Sequence, residues 1–452
     1  MTQPPHDLGA EPRVAFDVID VLGLCTLEKR SPTLDGSVPL RVAQACMPLL
    51  EGNAFGFQIA LRKRIELRRR LGAFHLSSFE DEPAYAREHR ATLPMAVARG
   101  LLVRGGVWHE RLERGIVDAG HFARRSTGSA VAFWTGLLVR PRAGVRLRQS
   151  STANRRAVTF TVDEVILDDT DAYCPLVLGI APADDTDTVV LHGEIATLAA
   201  LPARARLECV PLDEAPEVAR AHLAFYDAHY FATKREHPSR KYKHLATRAP
   251  SPAESAADLH VRAACAGPAT VFEACPRQIA GAKGPRPEPY APDRFVFRNA
   301  VAFSARFDGQ HVAIDFDRAR LAAHAERIRA AWTGVLGAGD EGVHQGALWY
   351  LTKYFTPHPA GEPHFFVKPW ALMHTRAGCS MLLEGIPGRG YDVLRGVVRT
   401  DVFHATPAVF ALRQPGLHID VAEGAPLLSL LPIPRALEQA TFHLEGFRDA
   451  FA

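Results

Sequence analysis

The feature that most constrains this chain is a weak internal echo. Arg142-Ala143-Gly144 opens one run of strand-like segments, with Gly193 and Pro202 near its end. Arg376-Ala377-Gly378 opens a second run, closed by Gly424 and Pro432. From the first glycine to the next is 49 residues in one copy and 46 in the other. Glycine adopts left-handed backbone without steric cost, so its recurrence at the head of two strand runs marks a repeated turn. The echo predicts an α+β, β-rich chain of two related antiparallel β-sandwich or barrel-like units, each followed by helices.

Length agrees with that reading, because 452 residues exceed a single hydrophobic core. The expected divisions are a tail over 1–12, an N-terminal β-rich domain with a closing helix over 13–247, and a C-terminal β-rich domain with helices over 294–452. Between the domains, 248–293 carries eight prolines and reads as a linker or irregular segment. Strand candidates in the first copy are 130–138, 145–149, 157–167, 175–180 and 188–191. The stretch 38–71 also reads as β. Helical spacing marks 215–235, then 318–336, and an amphipathic helix from Ala436 to the end.

Composition removes several classes. The 53 Lys and Arg against 50 Asp and Glu leave a net charge of +3, too balanced for wholesale nucleic-acid or membrane-surface binding. No apolar run approaches the ~20 residues that span a bilayer as a helix. The run from Arg62 to Arg70 holds six cations, yet Ile65 and Leu67 alternate within it as on a solvated strand. Seven cysteines are scattered without a CxxC, which argues against a disulfide scaffold or structural zinc and for a reducing cytoplasm.

Within Ala45–Phe57, Cys46, Pro48, Leu49, Asn53 and Gly56 fit an RCLPL-x-x-AN-x-x-GW-like motif, and through it the chain resembles an uncharacterised bacterial family, a domain of unknown function. Ala45 stands where that family has Arg, and Phe57 where it has Trp. Gly385, Pro387, Gly396, Val398, Thr400, Asp401, Gly424, Pro426 and Pro432 are similar to its C-terminal GxP…GxVxTDW…GEPI…P pattern, with Val402 in place of Trp. Gly, Pro and Asn dominate these positions and shape turns, so the resemblance implies a shared fold more than a shared chemistry.

Candidate chemistry is sparse. His418-Ile419-Asp420 would put two ligands on one strand face, as in a facial iron triad, but only His443 follows to complete it. His358, His364, His374, Glu384, Asp401 and His404 form a looser metal cluster, of which His364, His374 and His404 join that pair as candidate ligands, with Fe or Zn as the implied ion. Cys46 is either a nucleophile or a small buried hydrophobe. No P-loop, dinucleotide fingerprint or G-x-S-x-G elbow is present, and no cofactor is expected. Tyr230, Arg240 and Tyr242 lie in an aromatic-basic stretch suited to a ligand rim. Asn53, Arg376 and Asp401 join them from the motif segments and the echo.

Two functions follow from these residues. The first is a peptide- or small-molecule-binding protein that presents a precursor peptide to a biosynthetic enzyme in bacterial natural-product (RiPP) assembly, with a homodimer as a candidate state. The second is a metal-dependent oxygenase or isomerase.

Overall fold

Two turns organise the molecule, and they close alike. The N–H of Val145 donates to Arg142 O at 3.0 Å, and that of Cys379 to Arg376 O at 3.3 Å. Gly144 and Gly378 sit at φ +79° and +80°, the left-handed region that makes glycine necessary there. The returning chain meets each turn with the same bond: Ala203 N–H to Gly144 O at 3.1 Å, and Arg435 N–H to Gly378 O at 2.8 Å. Val145 faces Pro202 and Cys379 faces Pro434. The structural partner of Pro202 is therefore Pro434 and not Pro432.

The computed structural model describes residues 13–31, 46–70, 73–81, 123–125, 131–152, 154, 159–168, 173–183, 186–226, 242, 258–265, 272–274, 295–337, 341–358, 363–386, 391–412 and 414–446. Among them the helices are α1 (Met47–Ala54), α2 (Pro216–Phe225), α3 (Arg318–Leu336), α4 (Glu341–Thr352) and α5 (Arg435–Glu438). The fold is α+β and β-rich, as the echo predicts. Its sheets are open, and none closes into a barrel among the described residues.

From each turn grows one antiparallel sheet, and the two share a strand order. In the first half the order is Cys25–Lys29, Phe57–Arg70, Thr188–Pro202, Val145–Ser150, Val165–Leu167. In the second it is Phe272–Ala274, Phe295–Arg298, Pro426–Pro434, Cys379–Gly385, Gly396–Val398. Register matches as well. Phe57 faces Leu198 and Phe295 faces Leu430, each leucine four residues before its proline. The two sheets bury a common apolar cluster that includes Ala199, Leu201, Leu382, Val397, Leu431 and Ile433, and this cluster is the seam between the halves.

Each half also gives away its last strand. Arg204–Pro211 leaves the first half and runs parallel to Asp258–Cys265, the opening strand of the second. Thr441–Glu445 leaves the second half and runs parallel to Val14–Asp20, the opening strand of the first. Both recipients then pair antiparallel with the strand that leads into the echoed turn, Ala371–His374 or Val131–Pro141. The exchange is reciprocal, the signature of a two-fold arrangement within one chain.

The halves have separate cores. Phe16, Phe133, Leu178 and Leu198 belong to the first, Trp332, Tyr354, Trp370 and Phe410 to the second. The second half adds the sheet Val312–Phe316, Phe303–Phe307, His418–Val421 and the helices α3 and α4. Helix α3 starts where the Asp317 side chain accepts the Arg320 N–H at 2.9 Å, and it ends at Gly337, φ +74°.

Several expectations change. Within 38–71, Met47–Ala54 is helical, with Pro48 in its first turn where a missing N–H costs nothing. The final amphipathic helix is one turn, α5, followed by a strand. Short apolar spacing cannot separate the two states, and pairing with Val14–Asp20 decides for strand. Asp258–Cys265, inside the proline-rich stretch 248–293, is the middle strand of a sheet. Cys209 and Cys265 form a disulfide across the exchanged strands, their Cα atoms 6.3 Å apart, which spacing along the sequence did not reveal. The basic run is a solvated strand: Ile65 and Leu67 are buried, while Arg62, Arg64, Arg68 and Arg69 are exposed.

Candidate functional site

At one end the apolar seam gives way to a buried polar cluster. Its backbone is placed by α1, which docks on the strand Gly396–Val398. A Cβ on Gly52 would lie 2.6 Å from both Arg395 O and Gly396 Cα, so only glycine permits this approach. The two motif-like segments of the sequence thus meet in space. Asn154, at φ +63°, locks the junction. Its Nδ2 donates to Asn53 Oδ1 at 2.6 Å and to Arg395 O at 3.2 Å, and its Oδ1 accepts the Arg395 N–H at 2.6 Å. The side-chain amide stands in for a neighbouring strand.

Three arginines converge there. Glu384 bridges two of them, Oε2 to Arg148 Nη2 at 2.6 Å and Oε1 to Arg395 Nε at 2.5 Å. Arg30 Nε meets Glu194 Oε1 at 3.2 Å. Arg148 and Arg395 are 1% and 2% exposed, whereas the side chains of Glu194 and Glu384 are 12% and 16% exposed and mark the solvent side. Burial lowers the Arg395 guanidinium to about 10 against the attraction of Glu384, and the fields of Arg148 and Arg30 push the same way as burial. It still carries its charge at neutral pH. Its Nη1 and Nη2, and Nδ2 of fully buried Asn53, have no hydrogen-bond partner among the described residues. Buried donors of this kind cost about 1–3 kcal/mol each when unsatisfied, so three on two residues joined through Asn154 ask for acceptors.

A second polar layer adjoins α1. Glu51 Oε1 meets Arg399 Nη2 at 2.9 Å, and the Tyr242 hydroxyl donates to Glu51 Oε2 at 3.3 Å. Burial raises the Glu51 carboxyl to about 7, with Glu438 adding to the rise and Arg399 opposing it. Asp401 accepts the Gly378 N–H at 2.9 Å and pairs with Arg435. It thereby ties the echoed turn to α5.

Of the sequence candidates for ligand binding, Asn53 lies in the cluster, and Tyr242 and Asp401 lie in the layer beside it. Arg376 is exposed at the echoed turn. Tyr230 and Arg240 fall outside the described residues. The metal candidates form separate pairs. His374 and His404 have ring centroids 5.2 Å apart, and His364 stands 5.9 Å from His358. His418 Nδ1 lies 3.5 Å from Asp420 Oδ2 on an exposed strand face. The one trio of potential metal-ligand atoms within 4.8 Å among the described residues is Asp17, His443 and Glu445. There Asp17 is held by Arg142 at 2.7 Å and Arg140 at 3.0 Å, cations that compete with any metal. Desolvation pushes the Cys46 thiol up to about 12, so it is no thiolate at neutral pH.

Sequence reasoning missed Arg30, Arg148, Glu194 and Arg395, and took Glu384 only as a member of the loose metal cluster. Arg146-Leu147-Arg148 alternates like a half-solvated strand, but Val145–Gln149 is buried on both faces. Alternation alone would point both arginines outward. The usable signal was the pair of motif segments, which bring Asn53 and Gly396 together.

No protein-family model and no curated protein matches the chain. Among solved structures, a 2'-deoxycytidine 5'-triphosphate deaminase from Agrobacterium tumefaciens is similar at 9% identity, covering 90% of this chain and 92% of that one, with a TM-score of 0.26. At that TM-score the likeness supports neither fold nor function here.

Proposed function

We propose that this is a ligand-binding protein and that it binds an anionic group of a small molecule or peptide at the polar end of its seam. The observation behind the reading is the set of buried donors on Arg395 and Asn53 that nothing among the described residues satisfies. A folded protein tolerates such donors where a ligand completes them, and buried arginines select anions. Glutamates at the solvent side keep the guanidinium groups oriented without filling the open fork of Arg395.

Thermal shift tests the reading. Acidic probes should raise Tm saturably while neutral analogues of equal size leave it unchanged. At a hundredfold excess over Kd the stabilisation is about 2.7 kcal/mol, several degrees for a chain of this size. A flat response to every acidic probe, alike in wild type and Arg395→Lys, would defeat the proposal.

A further inference from the structure

We infer that the group held at the seam is a single carboxylate, gripped end-on by Nη1 and Nη2 of Arg395; the inference rests on the binding reading above. Three observations carry it. First, the remaining hydrogen-bonding edges of Arg395 are taken: Nε by Glu384, its N–H and C=O by Asn154. What is open is one planar pair of parallel donors, which matches the two oxygens of a carboxylate. Second, the same guanidinium already touches the Glu384 carboxylate at 2.5 Å. A monoanion suffers less repulsion from that neighbour than a phosphate dianion does. Third, the other open donor, Asn53 Nδ2, is a neutral amide. It suits a carbonyl or hydroxyl oxygen of the same ligand rather than a second charge.

The chemistry points to a free peptide C-terminus or a small acyl acid, which share this group. Calorimetry on the full chain compares N-acetylglycine, its methylamide, acetate and inorganic phosphate, with hydrogen exchange read over residues 46–57 and 391–399. N-acetylglycine should bind saturably, at least tenfold tighter than the methylamide and phosphate, and slow exchange in both segments. Arg395→Lys keeps the charge but loses the fork, and should weaken binding tenfold or more with Tm preserved. The exchange measurement needs only wild-type protein, so the test survives if that variant misfolds. Acetate binding as well as N-acetylglycine identifies a small acid, and affinity rising with peptide length identifies a C-terminus. Phosphate binding as tightly as the acid, with the same protected segments, overturns the carboxylate assignment and leaves the binding reading standing. Absence of saturable binding and protection with every probe overturns both.

Discussion

The two halves share a backbone and differ in what they place on it. Arg148 faces Ala199 and Ile166 across its sheet, and its counterpart Leu382 faces Leu431 and Val397. Ser150 faces Thr197, and its counterpart Glu384 faces Ser429. One diagonal of the seam is therefore the ion pair Arg148–Glu384, and the related diagonal holds Leu382 and Ser150. Similarly, Arg395 precedes the strand Gly396–Val398, and Glu164 precedes its equivalent Val165–Leu167. Repetition persists where the backbone needs it, in turns, register and strand exchange. Chemistry has collected at one of two equivalent places.

Substituting the matching position on each diagonal tests that asymmetry most severely. Glu384→Gln leaves Arg148 and Arg395 buried beside each other without their shared carboxylate, and should cost about 3–5 kcal/mol in urea unfolding. Ser150→Ala, at the counterpart position, should stay within ~0.5 kcal/mol. Equal costs would mean that the seam is not polarised. Next comes the close approach of α1. Gly52→Ala drives a Cβ into backbone of the other half and should cost up to about 3 kcal/mol. Gly193→Ala and Gly424→Ala meet open space at φ +63° and +76°, so each should lose only about 1–2 kcal/mol of backbone strain, and by similar amounts.

Acid should also separate the halves. Burial lowers His222 to about 3 and His404 to about 4, both in the second half. Below the ordinary histidine value of 6.5 the unfolded chain takes up protons that the folded chain refuses, so stability falls as pH falls from there. Glu51 acts oppositely: its raised carboxyl holds a proton that the unfolded chain releases, so its contribution falls as pH rises from 4.5 to about 7. Hydrogen exchange at pH 5 should open the second core before the first, and His222→Phe should delay that opening. Simultaneous opening would refute the assignment. The smallest effect belongs to His418→Ala, an exposed pair whose loss should leave the melting midpoint unchanged.

Much of this scaffold was legible in the sequence. Gly144 and Gly378 could be found because a left-handed turn leaves few residue choices, and the alternation of Ile65 and Leu67 placed the basic strand. The site was harder to see. Arg148 lies on a strand covered on both sides, where alternation no longer distinguishes solvent from seam. Asn53 drew notice through its motif, but its partner Asn154 lies 101 positions away. The disulfide and the terminal strand depend on pairings between distant segments, which no local pattern encodes.

The strand exchange has a consequence for how this chain must come together. Val14–Asp20 is synthesised well before Thr441–Glu445, the strand that completes one of its edges. Until Thr441–Glu445 is made, that edge of the first half is open, a template for pairing with the wrong neighbour. The same closure makes each half a guardian of the other once the last strand arrives. Removing 435–446 should therefore uncover Val14–Asp20 on that edge, and turn a chain that completes its own sheet into one that seeks a strand from another copy.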